Sequence, residues 1–463
     1  MPASSAPFEA NLSAQFNRAV QAAGQTLQPT NLSSPTIRHL PNGLTIIAEQ
    51  MPTAAVNLGL WLNVGSRVES DAINGMAHFL EHMIFKGTAR VKQGEFERQI
   101  EQRGARMNAA TSQDYTHFYI TTAPKDFAEL APLQVELVMN PTLEDARFEQ
   151  EKSVILEEIR RAQDSPARRA FYRSMKMSFD ALPYRRPVLG LTSVVKNLSA
   201  EQMRAFHHAW YQPQNMTAVV VGNLPVAQMI AIVEDSFEQA IAHPNRTHPH
   251  SKQQTPSTLP EAPFPAIHRQ THTDKALQHA RLILSWRVPG MCNLEQTYPL
   301  DVAAYILGQG RTARLIQDLQ EQQHLVSGIS ARNMTYENQG VFYISATIAT
   351  TEAIDADLAQ TETAILSHIA ELQNTPVKPE ELSRIEKQVA NRYIFASETP
   401  GDRASIYGYH QTLTGDVRHA LKYPEAIRQI SAADIQQAAR QHLPLNAYGA
   451  MSLKPPAAAP MED

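Results

Sequence analysis

Two histidines and one glutamate, close together in the sequence, are the residues that could do chemistry. His78, Glu81 and His82 lie in segment 75–87, whose apolar residues have helical spacing. On a helix, His78 and His82 are one turn apart and point the same way, and Glu81 shares that side. Two neutral imidazoles and a carboxylate suit Zn²⁺, and Glu81 stands where a general base could take a proton from water. We therefore predict a metal site on this helix, with a solvated polar helix face as the alternative.

A metal site of this kind needs a third protein ligand, and a second predicted helix at about 145–163 offers candidates. Residues seven apart lie on nearly one helix face, so Glu151 and Glu158 align, while Glu157 is rotated by about 100°. Exposed helices are often acidic, so a solvated face is again the alternative. The spacing alone does not choose between Glu157 and Glu158.

These helices belong to a chain that is patterned as one α+β design used twice. The strand pattern at 281–286 repeats the one that ends at Trp61, and the helical pattern at 380–390 repeats the one that begins at Asp145. Helices and strands do not alternate strictly, which favours mixed or antiparallel sheets flanked by helices. In the first half we predict strands at 45–47, 56–62, 106–112, 116–122 and 219–221, and helices at 73–86, 93–103, 126–139, 145–163, 166–181 and 225–241.

Composition indicates where the domains begin and end. Residues 1–35, rich in Ala, Ser, Gln and Pro, are predicted to form an N-terminal arm, and the Pro-rich run 244–265 a linker. The first domain is then 36–243, with the metal motif. The second domain is 266–455, which contains no copy of that motif.

Composition also excludes several classes of function. The 41 Lys and Arg against 46 Asp and Glu give a net charge of −5, so we expect no nucleic-acid partner. A single cysteine, Cys292, excludes an intramolecular disulfide and a Cys-rich metal site. No run approaches the roughly 18 apolar residues of a membrane helix, so we expect no membrane partner. The N-terminal segment lacks a basic start and an apolar core, which favours the cytoplasm, or the periplasm if an export signal was removed.

The motif His78-x-x-Glu81-His82, followed 76 residues after His82 by Glu158, resembles the pitrilysin/insulinase (M16) family of zinc peptidases. The runs Gly-Ala-Arg-Met-Asn-Ala-Ala-Thr at 104–111 and Glu-Lys-Ser-Val-Ile-Leu-Glu-Glu at 151–158 are similar to that family as well. The length and the two related halves resemble its short branch, which includes the mitochondrial processing peptidases and their bacterial relatives.

The resemblance implies a metalloendopeptidase of the EC 3.4.24 type. It implies one Zn²⁺ per chain, held by His78, His82 and Glu158, with Glu81 as the catalytic base. Glu151 matches an acidic residue that supports the ligands without binding the metal. Between the two candidate ligands on the second helix, the resemblance favours Glu158 over Glu157.

The same resemblance assigns the substrate to segment 107–111. Asn108, Ala109 and Ala110 are expected on an edge strand whose small side chains let a peptide pair with its backbone. In the family the Asn of this motif contacts the substrate main chain. The alternative is that Asn108 begins a turn before a strand. Backbone pairing involves few side chains, so we expect broad specificity for unfolded peptides.

One departure from the family pattern points to a partner. Active members carry an Arg and, seven residues later, a Tyr in the second half, where this chain has Gln320 and Ser327. Gln has no charge and Ser has no phenol. We therefore expect a heterodimer, in which a related chain without zinc supplies the Arg–Tyr pair and the two close as a clam shell around a chamber. The alternatives are a homodimeric processing peptidase and a non-proteolytic structural or assembly subunit.

Overall fold

The computed structural model describes residues 34–242, 259–350 and 352–456. The predicted arm at 1–35 lies outside the described residues except for its last two, and the predicted linker at 244–265 lies outside them over 244–258. Among the described residues, no helix has the length and apolar content needed to cross a bilayer.

The described residues form two compact units, each assembled from three stretches of the sequence. The first unit takes its residues from 1–159, 187–256 and 392–421, and the second takes its residues from 160–186, 257–391 and 422–463. Each unit thus contains a segment from the other half of the sequence, which the contiguous boundaries predicted from composition do not include.

Six strands form the sheet of the first unit, in the order β1-β2-β6-β3-β5-β4. Strands β2 and β6 pair in parallel and the other neighbours are antiparallel, so the sheet is mixed. Every residue of the central strands β3 and β6 is buried, as expected where both faces of a sheet are covered. The strands β1 to β6 are Thr36–His39, Thr45–Gln50, Val56–Leu62, Arg106–Thr111, Thr116–Thr122 and Met216–Gly222.

Five strands form the sheet of the second unit, in the order β7-β11-β8-β10-β9. Here β7 and β11 are parallel and the other neighbours antiparallel. The predicted α+β class, with two mixed sheets flanked by helices, is therefore confirmed. The strands β7 to β11 are His268–Thr273, Arg281–Pro289, Val326–Met334, Gln339–Ile348 and Gly449–Lys454.

Helices flank both sheets. In chain order, α1 to α14 are Met76–Ile84, Glu95–Gln102, Phe127–Met139, Asp145–Asp164, Pro166–Ser178, Thr192–Val195, Ala200–Trp210, Val226–Ile241, Leu294–Gly308, Ile354–Asn374, Pro379–Phe395, Pro400–Thr414, Arg418–Arg428 and Ala432–His442. A π-helical turn lies at Ile316–Gln322. In the first unit, α3 and α8 pack against each other, and α12 packs against β3 and β6.

Helix α12, from the second half of the sequence, is anchored in the first unit by a buried carboxylate. Glu49 of β2 is only 4% exposed. Its Oε1 lies 2.7 Å from Arg403 Nη1, and its Oε2 accepts a hydrogen bond of 2.7 Å from the Tyr407 hydroxyl. A buried charge is tolerated when it is paired and hydrogen-bonded in this way, and it is strongly destabilising once a partner is removed.

The predicted elements around the motif match the structure closely, with one informative difference. Strands β4 and β5 and helices α3 and α4 begin and end within one residue of their predicted bounds. Helix α1 covers only Met76–Ile84 of the predicted 73–86. Residues 71–73 instead form a 3₁₀ turn, and Gly75, with φ +96°, separates that turn from α1.

Candidate metal centre

Helix α1 carries the motif and is held against the core by its apolar side. Phe79, Leu80, Met83 and Ile84 are fully buried. Gly75 directly before the helix adopts a left-handed conformation, and a Cβ there would lie 2.8 Å from the backbone of the 189–190 loop. Only glycine fits both conditions. The polar side of α1, with His78, Glu81 and His82, is thereby directed away from the apolar core.

The two histidines of α1 meet a carboxylate from α4. Glu158 Oε2 lies 3.5 Å from His78 Nε2 and 3.5 Å from His82 Nε2. One ligand atom from each of the three residues lies within 4.8 Å of the others. Atoms that bind a tetrahedral zinc ion at about 2.0–2.2 Å lie about 3.3–3.6 Å apart. The two separations to Glu158 therefore fit one shared metal ion, and Glu157 is not part of the group.

His78 has the electrostatics of a metal ligand. It is 2% exposed, and neither ring nitrogen has a hydrogen-bond partner among the described residues. A buried polar atom without a partner costs about 1–3 kcal/mol, so such an atom calls for an explanation. Burial and the neighbouring His82 lower the pKa of His78 to about 4, which keeps the imidazole neutral, the form that binds a metal.

His82 is oriented by a carboxylate on its other nitrogen. Its Nδ1 lies 3.0 Å from Glu151 Oε1, and Lys86 Nζ lies 2.6 Å from Glu151 Oε2. Burial alone would lower the pKa of His82, but hydrogen bonds with Glu151 and Glu158 outweigh it and raise the pKa to about 9. A carboxylate on Nδ1 fixes the ring with Nε2 toward a metal, as outer partners of histidine ligands commonly do. Lys86 was not singled out in the sequence, although it follows His82 by four residues.

Glu81 is linked to the edge of the sheet. The Thr111 hydroxyl of β4 donates a hydrogen bond of 2.5 Å to Glu81 Oε2. Burial raises the pKa of Glu81, although the hydrogen bond from Thr111 opposes this effect. The carboxylate proposed as the base is thus held by the strand proposed to bind the substrate. That link joins two residues 30 apart in sequence, so spacing on one helix could not reveal it.

Strand β4 lies at the end of the sheet, so one of its edges pairs with no strand among the described residues. Asn108 is exposed in the middle of this strand, opposite Tyr119 of β5. The alternative in which Asn108 begins a turn is therefore wrong. Ala109 and Ala110 follow it on the same strand and are half-buried.

The two positions that depart from the family pattern both lie in the second unit. Gln320 is half-buried within the π-helical turn. Ser327 is exposed near the start of β9, which is the edge strand of the second sheet.

Two models of one peptidase family match the chain in succession. The model for insulinase (peptidase family M16) matches residues 44–190, and the model for the peptidase M16 inactive domain matches residues 197–389. The chain belongs to the M16 family. The metal motif of this M16 chain lies within the first match, and the absence of a second motif agrees with the inactive-domain description of the second match.

Relatives of this M16 chain align along almost all of its length. A protein named uncharacterized zinc protease from Rickettsia bellii is 27% identical over 406 residues, which cover 88% of this chain and 94% of that protein. Zinc protease PqqE of Helicobacter pylori is 24% identical, covering 90% and 92%. The crystal structure of a protease from Helicobacter pylori superposes with a TM-score of 0.82 at 24% identity, covering 92% of this chain and 100% of that chain. The fold is therefore that of two-domain M16 proteins.

Proposed function

We propose that this chain is a zinc-dependent endopeptidase that hydrolyses unfolded peptides. The observation that carries the proposal is that His78 Nε2 and His82 Nε2 each lie 3.5 Å from Glu158 Oε2, with Glu81 on the same helix as the two histidines. The relatives are named zinc proteases, which supports the same metal and the same reaction class.

In this proposal each residue of the centre has one task. His78 and His82 hold the ion through Nε2, Glu158 holds it through its carboxylate, and Glu151 orients His82. When bound, zinc acts as a Lewis acid that polarises the scissile carbonyl and lowers the pKa of water. Glu81 removes a proton from the attacking water and returns it to the amine of the leaving group.

The substrate would lie along β4. An extended peptide adds to an exposed sheet edge through main-chain hydrogen bonds, and the short side chains of Ala109 and Ala110 leave room for it. Asn108 is exposed at the centre of that edge and can hydrogen-bond the peptide backbone. Since the main chain supplies most of the contacts, we expect weak preference for particular side chains.

Replacement of Glu81 by Gln tests the assignment of the base. Glu81→Gln keeps the shape of the side chain but cannot accept the proton, so we expect zinc near one per chain and a kcat lowered about 10²–10⁴-fold. His78→Ala is expected to lose both zinc and hydrolysis. Metal analysis and cleavage of an unstructured fluorogenic peptide measure the two properties.

The matched control is Glu149→Gln, the same change at an exposed position of α4, where the carboxylate lies 2.8 Å from Lys152 Nζ. It should alter neither zinc content nor cleavage. Hydrolysis at wild-type rate by Glu81→Gln would disprove the role of the base. A wild-type chain without zinc would disprove the metalloenzyme itself.

We further propose that the active form is a heterodimer whose second, related chain supplies an Arg and a Tyr. The presence of Gln320 and Ser327 at the corresponding positions supports this proposal. Cleavage is then weak for the isolated chain and rises when a related chain with that pair is added. Full activity of the isolated chain would instead indicate a homodimeric processing peptidase. Zinc binding without hydrolysis in either case would indicate an assembly subunit.

A further inference from the structure

A buried carboxylate that is neither a metal ligand nor the proposed base lies at the start of α1. Glu69 is fully buried. Its Oε2 accepts hydrogen bonds of 2.9 Å from the Gly75 backbone N–H and from Asn74 Nδ2, and its Oε1 accepts one of 2.8 Å from the Ala77 N–H. Both oxygens of one carboxylate thus bind the first residues of the motif helix.

These contacts provide hydrogen-bond acceptors for N–H groups at the start of α1. The first N–H groups of an α-helix have no partner within the helix. Gly75 occupies the capping position and has no side chain that could accept them. Glu69, which lies outside the helix, accepts hydrogen bonds from these N–H groups. Its negative charge is stabilised by the positive end of the helix dipole. The left-handed Gly75 lets the backbone turn so that the N–H groups of Gly75 and Ala77 reach one carboxylate.

The fixed end of the helix lies next to the metal ligands. His78 follows Ala77 directly, and α1 has only nine residues, so Glu81 and His82 lie within two turns of Glu69. Asn74 ties the same point to the rest of the unit by donating a second hydrogen bond of 3.0 Å to the Pro187 carbonyl. Metal ligands tolerate deviations of only about 0.2 Å, so a small displacement of this end separates the histidines from Glu158.

We propose that Glu69 is a positioning residue of the metal centre: it fixes the start of α1 so that His78 and His82 meet Glu158 with the separation zinc requires. This inference rests on the proposed zinc site. Glu69 acts through the backbone of α1, so its effect is on the geometry of the site.

The test is Glu69→Gln, measured on the full chain. The amide retains one acceptor oxygen, presents an NH₂ group to backbone donors and removes the charge at the helix end. We expect the dissociation constant for Zn²⁺, measured by competition with a chromophoric chelator, to rise about tenfold or more. The visible spectrum of the Co²⁺-substituted protein should change, because it reports ligand geometry. For peptide cleavage, kcat should fall while KM changes little, since β4 is untouched.

Glu49→Gln is the matched control, because it makes the same change at a buried, hydrogen-bonded carboxylate of the same unit that anchors α12 instead of α1. It should lower thermal stability and leave the zinc dissociation constant within twofold of wild type. Glu69→Asp keeps the charge and both oxygens but is one methylene shorter. It should bind zinc better than Glu69→Gln and about threefold or more worse than wild type.

The outcomes separate the two proposals. If the wild-type chain binds no zinc, the proposed function fails. If the wild-type chain binds zinc and Glu69→Gln binds it equally well, or loses no more affinity than Glu49→Gln, the positioning role of Glu69 is wrong. Should Glu69→Gln not fold, Glu69→Asp decides, and an affinity within twofold of wild type then contradicts the role.

Discussion

His117 lies in a stack of aromatic rings on the sheet of the first unit. Its ring is 3.9 Å from that of Trp61, its cross-strand neighbour on β3, and 5.2 Å from that of Tyr119. The side chain is buried, and burial lowers the pKa of His117 to about 3. In the unfolded chain a histidine titrates near 6.5. The unfolded state therefore binds more protons than the native state between these two pH values.

The first unit should lose stability as the pH falls below 6.5, and His117 should account for part of that loss. The unfolded chain binds a proton at His117 more readily than the native state does, so the free energy of unfolding falls as the pH falls. The loss is up to about 1.4 kcal/mol per pH unit, or about 2 kcal/mol at pH 5. His117→Phe keeps an aromatic ring that does not titrate. Denaturant unfolding in the presence of a chelator, at pH 5 to 8, should show a smaller loss for His117→Phe than for wild type below pH 6.5. Parallel curves over the whole range would contradict this account.

Some site residues could be predicted from the sequence and others could not. Helical spacing alone places His78, Glu81 and His82 together, so the sequence predicts these three residues. The resemblance to the family predicts Glu158. The role of Glu69 could not be predicted from the sequence. Its contacts are with backbone N–H groups of a helix whose start depends on the left-handed Gly75. Such contacts depend on the path of the chain, which no residue spacing reports.

Helix α12 packs on the first sheet with almost no separation at one point. A Cβ on Gly408 would lie 2.1 Å from Trp61 Nε1 and 2.3 Å from Trp61 Cε2. Trp61 is buried and stacked on His117, so a shift of its ring would disturb that packing. The absence of a side chain at Gly408 is therefore a condition for the docking of this helix.

Gly408→Ala should destabilise the first unit by about 1–3 kcal/mol or more, because overpacking of a close-packed core forces side chains and backbone to shift. The control is Gly401→Ala in the same helix, where a Cβ would meet its nearest atom at 3.5 Å. That change should be neutral or stabilising by up to about 1 kcal/mol, since alanine is the better helix former. Thermal unfolding of both variants measures the difference. Equal stability of the two variants would show that α12 does not pack as described.

At the level of elements, the sequence predicts the bounds of strands and helices where these depend on a local pattern of apolar residues. The alternation of apolar residues predicted β4 and β5, and helical periodicity predicted α3 and α4, to within one residue. The pattern could not show that α12 belongs to the first unit. Its place depends on Gly408 against Trp61 and on Arg403 and Tyr407 against Glu49, which are contacts between residues more than 340 positions apart.

For the whole molecule, the proposed heterodimer predicts that two substitutions increase the activity of the isolated chain. If the missing Arg and Tyr limit the isolated chain, Gln320→Arg combined with Ser327→Tyr should raise its kcat/KM toward that of the mixed complex. Both positions are outside the metal centre, so zinc content should stay unchanged. The single variants serve as controls, and size-exclusion chromatography reports the oligomeric state. No gain in the double variant, together with activation by an added related chain, would show that the partner contributes more than these two side chains.

The anchoring of α12 also determines when the unit that carries the metal motif can be completed during synthesis. The first unit includes residues 392–421, so that unit has all of its parts only after residue 421 has been synthesised. A fragment ending at the junction between the two sequence halves contains the motif but lacks Arg403 and Tyr407, the partners of Glu49. Nascent and truncated chains would therefore lack the helix that packs on β3 and β6, and their first unit would be less stable than that of the full chain.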